Sequence, residues 1–194
     1  QHCVIAMMLY AKYKTRNLQG VLGPGGATCD PATTTGSSNA TGGADTENEY
    51  SKYVCGLGLE GVFGGICEFV EGVEINNRVW KITDPDGSTR NVNAGTVSGW
   101  IKNIAAENGP FFDVVPTQVG GSDSTHYSDY YSRTSNNSIV LARSCDSSSS
   151  FGGVAFAYAS YVASSTHSYS GSRLAFRGTI SEVSMEQFKK LPAL

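Results

Sequence analysis

Side chains that could act as nucleophiles, acid–base groups or metal ligands are few and scattered in this sequence. The histidines are His2, His126 and His167, and the cysteines are Cys3, Cys29, Cys55, Cys67 and Cys145. They form no C-x-x-C pair and no short metal-ligand spacing, so a zinc site of Cys and His ligands has no basis here. The odd cysteine set reads as free thiols acting as small apolar groups rather than as a disulfide framework. Serine is abundant, but no G-x-S-x-G presents one at a nucleophile elbow, and nothing supports its pairing with His126 or His167. Calcium needs clustered carboxylate and carbonyl ligands, and the serine-rich stretch offers only Asp123, Asp129 and Asp146. No catalytic residue, no metal and no cofactor are expected.

Binding chemistry is written more plainly. Residues 122–170 hold 16 Ser and 6 of the 10 Tyr, and no Lys, Glu, Gln, Met or Trp. The other 145 residues hold 25 of those five types, a rate that would place about 8 in the window. Tyrosine supplies large, rigid, amphipathic contact area for two torsions, and serine and glycine supply adaptable hydrogen bonds, as in antibody paratopes. Lys, Gln and Met lose more rotamer entropy when immobilised. A solvated linker would explain Ser147–Ser150 alone. It does not explain the strand-like runs beside it, Ile139–Arg143 and Val154–Tyr158, which imply an ordered frame.

The frame must come from a chain of 194 residues, a one-domain length or at most two small ones. With 40% apolar and 16% charged residues a core is available. A net charge of −3 disfavours nucleic acid as a partner, and the apolar run Cys3–Tyr10 is too short for membrane insertion. In the opening segment Val4, Met7, Met8, Ala11 and Leu18 recur at near-helical spacing, with Gly20 as the stop signal. No capping residue precedes it, which suggests that the N-terminal part of a longer parent chain is missing. The stretch from Gly23 to Gly43 reads as a flexible loop, with a chance-level glycosylation tripeptide at Asn39. A short acidic helix is expected over Asp45–Val54. Strands are expected over Ile66–Val73 and Val79–Thr83. Asp84-Pro85-Asp86-Gly87 is a turn with a mechanism, joining Arg78–Thr83 to Ser88–Val92 as a hairpin. Gly95–Asn108 carries Trp100, Ile101, Ile104 and Ala105 at a helix-like period. The fold class is α+β, with few helices, short antiparallel sheets and many loops. Trp80 and Trp100 read as core.

Several motifs resemble one family. Gly64-Gly65-Ile66-Cys67-Glu68-Phe69-Val70-Glu71-Gly72 resembles a strand motif of the formylglycine-generating-enzyme branch of the C-type lectin fold. Gly171-Ser172-Arg173-Leu174-Ala175-Phe176-Arg177 resembles that fold's closing strand, and Val140-Leu141-Ala142-Arg143-Ser144 its penultimate one. With the opening helix, LGLEGVFGG, NNRVWKITDPDGS and AAENGPFFDVVP, their order resembles the variable proteins of diversity-generating retroelements. Related members are often tail receptor-binding proteins of phages and prophages. The resemblance implies a C-type lectin-like variable ligand-binding domain over residues 1–178. Residues 179–194 form a tail with a capping-box pattern at Ser184 and Gln187, and a short helix carrying Met185, Phe188 and Leu191.

In that family, template adenines are mutated during reverse transcription, and diversified codons typically begin as AAC or AAT. Changing only the adenines cannot produce Lys, Glu, Gln, Met or Trp. Those are the five types missing from the window. By position in the matching stretch, the resemblance implies Cys145, Asp146, Ser148, Ser150, Tyr158, Ser160, Tyr161, His167, Ser168 and Tyr169 as contact residues, with Tyr131, Ser132 and Ser135 behind them. Tyr158, Tyr161 and Tyr169 would be the anchors. Arg143, Arg173 and Arg177 are expected as frame residues pairing with Glu68, Asp113 or backbone carbonyls. The expected role is a tail-tip adhesin, on a virion or a bacterial cell surface, that binds a protein or glycan receptor on a bacterial surface. A homotrimer follows by analogy with tail fibres. The alternatives are a cell-surface adhesin or lectin, and a formylglycine-generating-enzyme-like oxidoreductase. The latter's paired cysteines in the C-terminal part of the fold are reduced here to Cys145.

Overall fold

The computed structural model describes residues 2–23, 53–64, 67–84, 86–95, 97–105, 114–122, 127–133, 139–144, 151–167 and 170–171. Within them lie two helices, α1 (His2–Tyr13) and α2 (Gln19–Leu22), and eleven strands. The strands are β1 (Tyr53–Gly56), β2 (Leu59–Gly64), β3 (Cys67–Asn76), β4 (Val79–Thr83), β5 (Thr89–Asn93), β6 (Gly99–Ile104), β7 (Pro116–Val119), β8 (Tyr130–Arg133), β9 (Ile139–Ser144), β10 (Gly153–Val162) and β11 (Ser170–Gly171). β1 and β2 form a hairpin of their own. The large sheet runs β5-β4-β3-β9-β10-β8-β6-β7, with β11 added in parallel to β3. No helix among the described residues is long and apolar enough to cross a membrane.

Residues at period two explain most of these strands. In β4, Trp80 and Ile82 are buried while Lys81 and Thr83 point outward. The β4–β5 hairpin forms within one residue of the expected bounds. Its turn closes through the Gly87 amide donating to the Asp84 carbonyl at 2.9 Å, with Gly87 at φ +85°. Arg90 then donates from Nε (2.5 Å) and Nη2 (2.7 Å) to the buried Asp84 carboxylate. That hydrogen bond holds the Asp84 carboxyl below its ordinary pKa.

The sheet separates two apolar clusters. One packs Ile75, Trp80, Ile101, Tyr131, Leu141 and the Ala155–Ala157–Ala159 row of β10. On the other side, Leu9, Leu22, Val54, Phe63 and Val154 join α1, α2 and the β1–β2 hairpin to the sheet. Arg143 of β9 is buried as a frame residue. Its Nη2 donates to the Val114 carbonyl at 2.9 Å and its Nη1 to the Phe156 carbonyl at 3.4 Å.

Three expectations about the frame are corrected. The opening helix buries Ala6 and Leu9, whereas Val4, Met7 and Met8 are 52%, 43% and 49% exposed. Apolar residues lie all round α1, so their period could not select a face; contact with the β1–β2 hairpin selects it. The helix stops at Lys14, which takes φ +53°, and Gly20 lies inside α2 instead of ending α1. The segment containing Trp100, Ile101 and Ile104 is strand β6, because β7 and β8 supply ladder partners on both sides. Tyr53 and Val54 begin β1 rather than ending an acidic helix. Residues 45–52 and 172–194, with Arg173 and Arg177, lie outside the described residues.

Candidate functional site

Register decides which window residues meet. Phe69 of β3 pairs with Ala142 of β9, Ala142 with Tyr158 of β10, and Tyr158 with Ser132 of β8. Directly paired residues share a face, so Phe69, Tyr158 and Ser132 project from one side of the sheet. Tyr131, one residue earlier, pairs with Ala157 and faces the other way. It is a core residue, 1% exposed, with its ring 5.8 Å from that of Trp80. The expectation that Tyr131 contacts ligand is therefore corrected by pleat parity. Burial pushes its phenol pKa up, and its hydroxyl has no hydrogen-bond partner.

Tyr158 and Tyr161 are three residues apart, a spacing that would put them on opposite faces of a regular strand. A register shift lets three residues of β10 span two of β9, because Tyr158 pairs with Ala142 and Tyr161 with Val140. The bulge returns Tyr161 to the face of Tyr158, with ring centroids 4.6 Å apart. Phe69 meets Tyr161 edge-on at 6.0 Å, and the His167 ring lies 4.5 Å from Tyr161 on the other side. Buried Cys67 forms the floor. Phe69, Tyr158 and Tyr161 are half-buried and His167 is exposed, so the cluster is packed below and open above. Behind Tyr161 the chain turns at Val162–Ser165, where the Ser165 amide donates to the Val162 carbonyl at 2.9 Å. It returns to β3 through β11, with the Ser170 amide on the His167 carbonyl at 3.1 Å.

Of the expected contact residues, the structure thus brings Tyr158, Tyr161 and His167 together and sets Ser132 beside Tyr158. Ser160 is half-buried on the same strand. Cys145, Asp146, Ser148, Ser150, Ser168, Tyr169 and Ser135 lie outside the described residues. Phe69 was missed because it comes from β3, far from the window in sequence. The i, i+2 relation of Cys67 and Phe69 was its only local signal.

A second aromatic group stands on the same side. Trp100 pairs directly with Tyr130, and Tyr130 shares its face with Ser132 two residues on. Tyr130 and Phe151 stack at 4.4 Å and 10°, and Trp100 stands at 87° to both, 5.4 and 5.2 Å away. All three are half-buried, so Trp100 is a surface aromatic and its reading as core is corrected. Trp80 is core, fully buried, with its indole N–H on the Pro116 carbonyl at 2.7 Å.

Asp129 is buried and bonded to the frame. One oxygen accepts from the Ala155 amide at 2.8 Å and the other from Gln19 Nε2 at 3.4 Å. Burial raises its carboxyl pKa well above the usual range. Among the described residues no three His, Cys, Asp or Glu side chains converge on a metal position. Cys3 and Cys55 carry free thiols, and His2 shares a 2.6 Å hydrogen bond with the Val154 carbonyl.

No family model, curated protein or solved structure matches the chain.

Proposed function

We propose that this protein is a binder whose outward sheet face carries the contact residues, and that the face belongs to a diversified domain of the retroelement variable-protein type. The observation that supports this most is the Phe69–Tyr158–Tyr161–His167 cluster. Three of its four rings come from the stretch with the restricted amino-acid alphabet; Tyr158 and Tyr161 sit half-buried on strand β10, and His167 is exposed beside them. Rigid tyrosines at a solvent boundary lose little entropy on contact and offer both ring faces and hydroxyls. The frame beneath is made of residues such as Arg143 and Leu141, buried and bonded to backbone or core. A frame of that kind tolerates exchange of the outer residues, since surface changes away from core and caps cost within about 0.5 kcal/mol.

The role that fits is receptor binding by a phage or prophage tail tip, or by a bacterial surface adhesin, on a C-type lectin-like scaffold. Multiple copies, three by analogy, would add weak single-site contacts into avidity. Sequencing the source DNA tests the reading. A near-repeat of the 122–178 coding stretch is expected beside a reverse transcriptase gene, differing at template adenines that fall on Tyr158, Tyr161 and His167 but not on Arg143. Sister proteins that vary in the core while keeping those three residues would overturn it.

A further inference from the structure

Two aromatic groups lie on one side of the large sheet, and Ser132 joins them. The Tyr158 group reaches Ser132 by direct pairing of β10 with β8, and the Trp100 group reaches it along β8 through Tyr130. Strand pairs lie about 4.8 Å apart and alternate residues about 7 Å apart. At the backbone Tyr158 therefore lies about 8 Å from Tyr130 and about 12 Å from Trp100, the span of an oligosaccharide rather than of a single sugar ring. Rings and hydroxyls dominate the strip. None of Phe69, Tyr158, Ser132, Tyr130, Trp100 or Phe151 carries a fixed charge.

This chemistry narrows the ligand. An extended peptide adds to a sheet by pairing with a free edge, but β3, β9, β10, β8 and β6 each have a strand on both sides. Single-stranded nucleic acid also stacks on rings, yet it requires a basic groove for its backbone, and this chain has a net charge of −3. A neutral sugar fits both constraints. Its axial C–H groups carry partial positive charge and meet the negative face of an aromatic ring, while its hydroxyls need small donors and acceptors such as Ser132 and the tyrosine hydroxyls. Trp100 is the largest ring of the strip, half-buried, with the Tyr130–Phe151 stack at right angles to it.

We infer that the strip from Tyr158 across Ser132 to Trp100 is a metal-independent site for a neutral oligosaccharide, with Trp100 as its constant anchor. This rests on the reading of the Tyr158 face as a binding surface and adds the ligand class. Tryptophan is unreachable from a diversified asparagine codon, so Trp100 would remain while Tyr158 and Tyr161 vary around it and tune which sugar is preferred.

The test is titration of the 194-residue protein with cellotriose, chitotriose, mannotriose and lactose in EDTA, followed by tryptophan emission and by calorimetry. At least one of them should bind and shift the emission. The shift belongs to Trp100, because Trp80 is sealed in the core. Trp100→Phe keeps a ring against the Tyr130–Phe151 stack and should abolish the emission change while weakening binding about tenfold, the usual scale for a contact anchor. Ser132→Arg, which leaves every ring in place, should block the strip with an unchanged melting temperature. The inference is overturned if none of the four sugars binds at millimolar concentration, if binding requires calcium, or if both variants bind as the parent does. Failure here with a template repeat present in the source DNA removes the sugar and leaves the diversified face. Sugar binding without a repeat does the reverse.

Discussion

Val154 to Ala157 and Tyr158 to Val162 belong to the same strand, β10, yet the first four residues are fully enclosed, whereas Tyr158, Ser160, Tyr161 and Val162 reach solvent. The core-side alanines continue through both halves as far as Ala159. The difference lies on the other side. There Val154 is covered by α1, α2 and the β1–β2 hairpin, through Leu9, Leu22, Val54 and Phe63. Beyond Phe156 no such cover is found among the described residues, and Tyr158 packs against the rings and thiol of its own small cluster. One strand therefore serves as scaffold and as display surface, and the boundary is set by how far the covering elements reach.

Substitutions along β10 break or sharpen this contrast. Phe156→Ala, in the enclosed half, is expected to lose about 4 kcal/mol of stability through lost transfer energy and a cavity; urea unfolding measures it. Gly153→Ala comes next, at about 3 kcal/mol, because its added Cβ would fall 1.9 Å from Asp129 Oδ1. Relief by a second change, Asp129→Gly, would identify that collision as the cause. In the open half, Tyr158→Ala should cost about 1 kcal/mol of stability, the scale of one aromatic pair. A loss equal to that of Phe156→Ala would dissolve the distinction between the halves.

Asp129 gives the enclosed half a pH signature. Its carboxyl pKa is raised by burial, opposed by the Ala155 amide and the nearby Arg143 charge. The folded state thus holds the proton more tightly than the unfolded one. Stability from this group is full at pH below the ordinary aspartate range and declines as pH rises from there toward the raised native value. Asp129→Asn should flatten that decline and leave the variant more stable than the parent near neutrality, as unfolding midpoints at pH 5 and pH 8 would show. The smallest effect belongs to α1, where Met7→Gln on the exposed side should change stability by less than about 0.5 kcal/mol. A larger loss would mean that a neighbouring surface covers that side of the helix.

Much of the frame could be read in advance, and the reasons are local. Period two marks Trp80 and Ile82 as inward, and Asp84-Pro85-Asp86-Gly87 dictates a turn, so the β4–β5 hairpin needed no tertiary information. Ile139–Arg143 and Val154–Tyr158 were legible as strands for the same reason. Where local signals were balanced, the reading failed. Trp100, Ile101 and Ile104 fit a helical period as well as a strand, and only β7 and β8, distant partners, decided between them. Val4, Met7 and Met8 fit a buried stripe as well as Ala6 and Leu9 do, and the packing of a separate hairpin chose the latter.

The candidate site divides along the same line. Composition alone marked residues 122–170 as a surface alphabet rich in tyrosine and serine, because amino-acid type carries contact area and hydrogen-bonding capacity wherever the chain goes. Which tyrosines face outward depends on parity, and parity is a property of strand pairing. Tyr131 is in the core and Ser132 on the face because β8 aligns with β10 at Ala157 and Tyr158. Tyr161 joins Tyr158 because of one bulge, and Phe69 and Trp100 join the same side from strands outside the window. The chemistry of the residues was set by the order of the amino acids; their convergence was set by registers between distant segments, which only the folded sheet supplies.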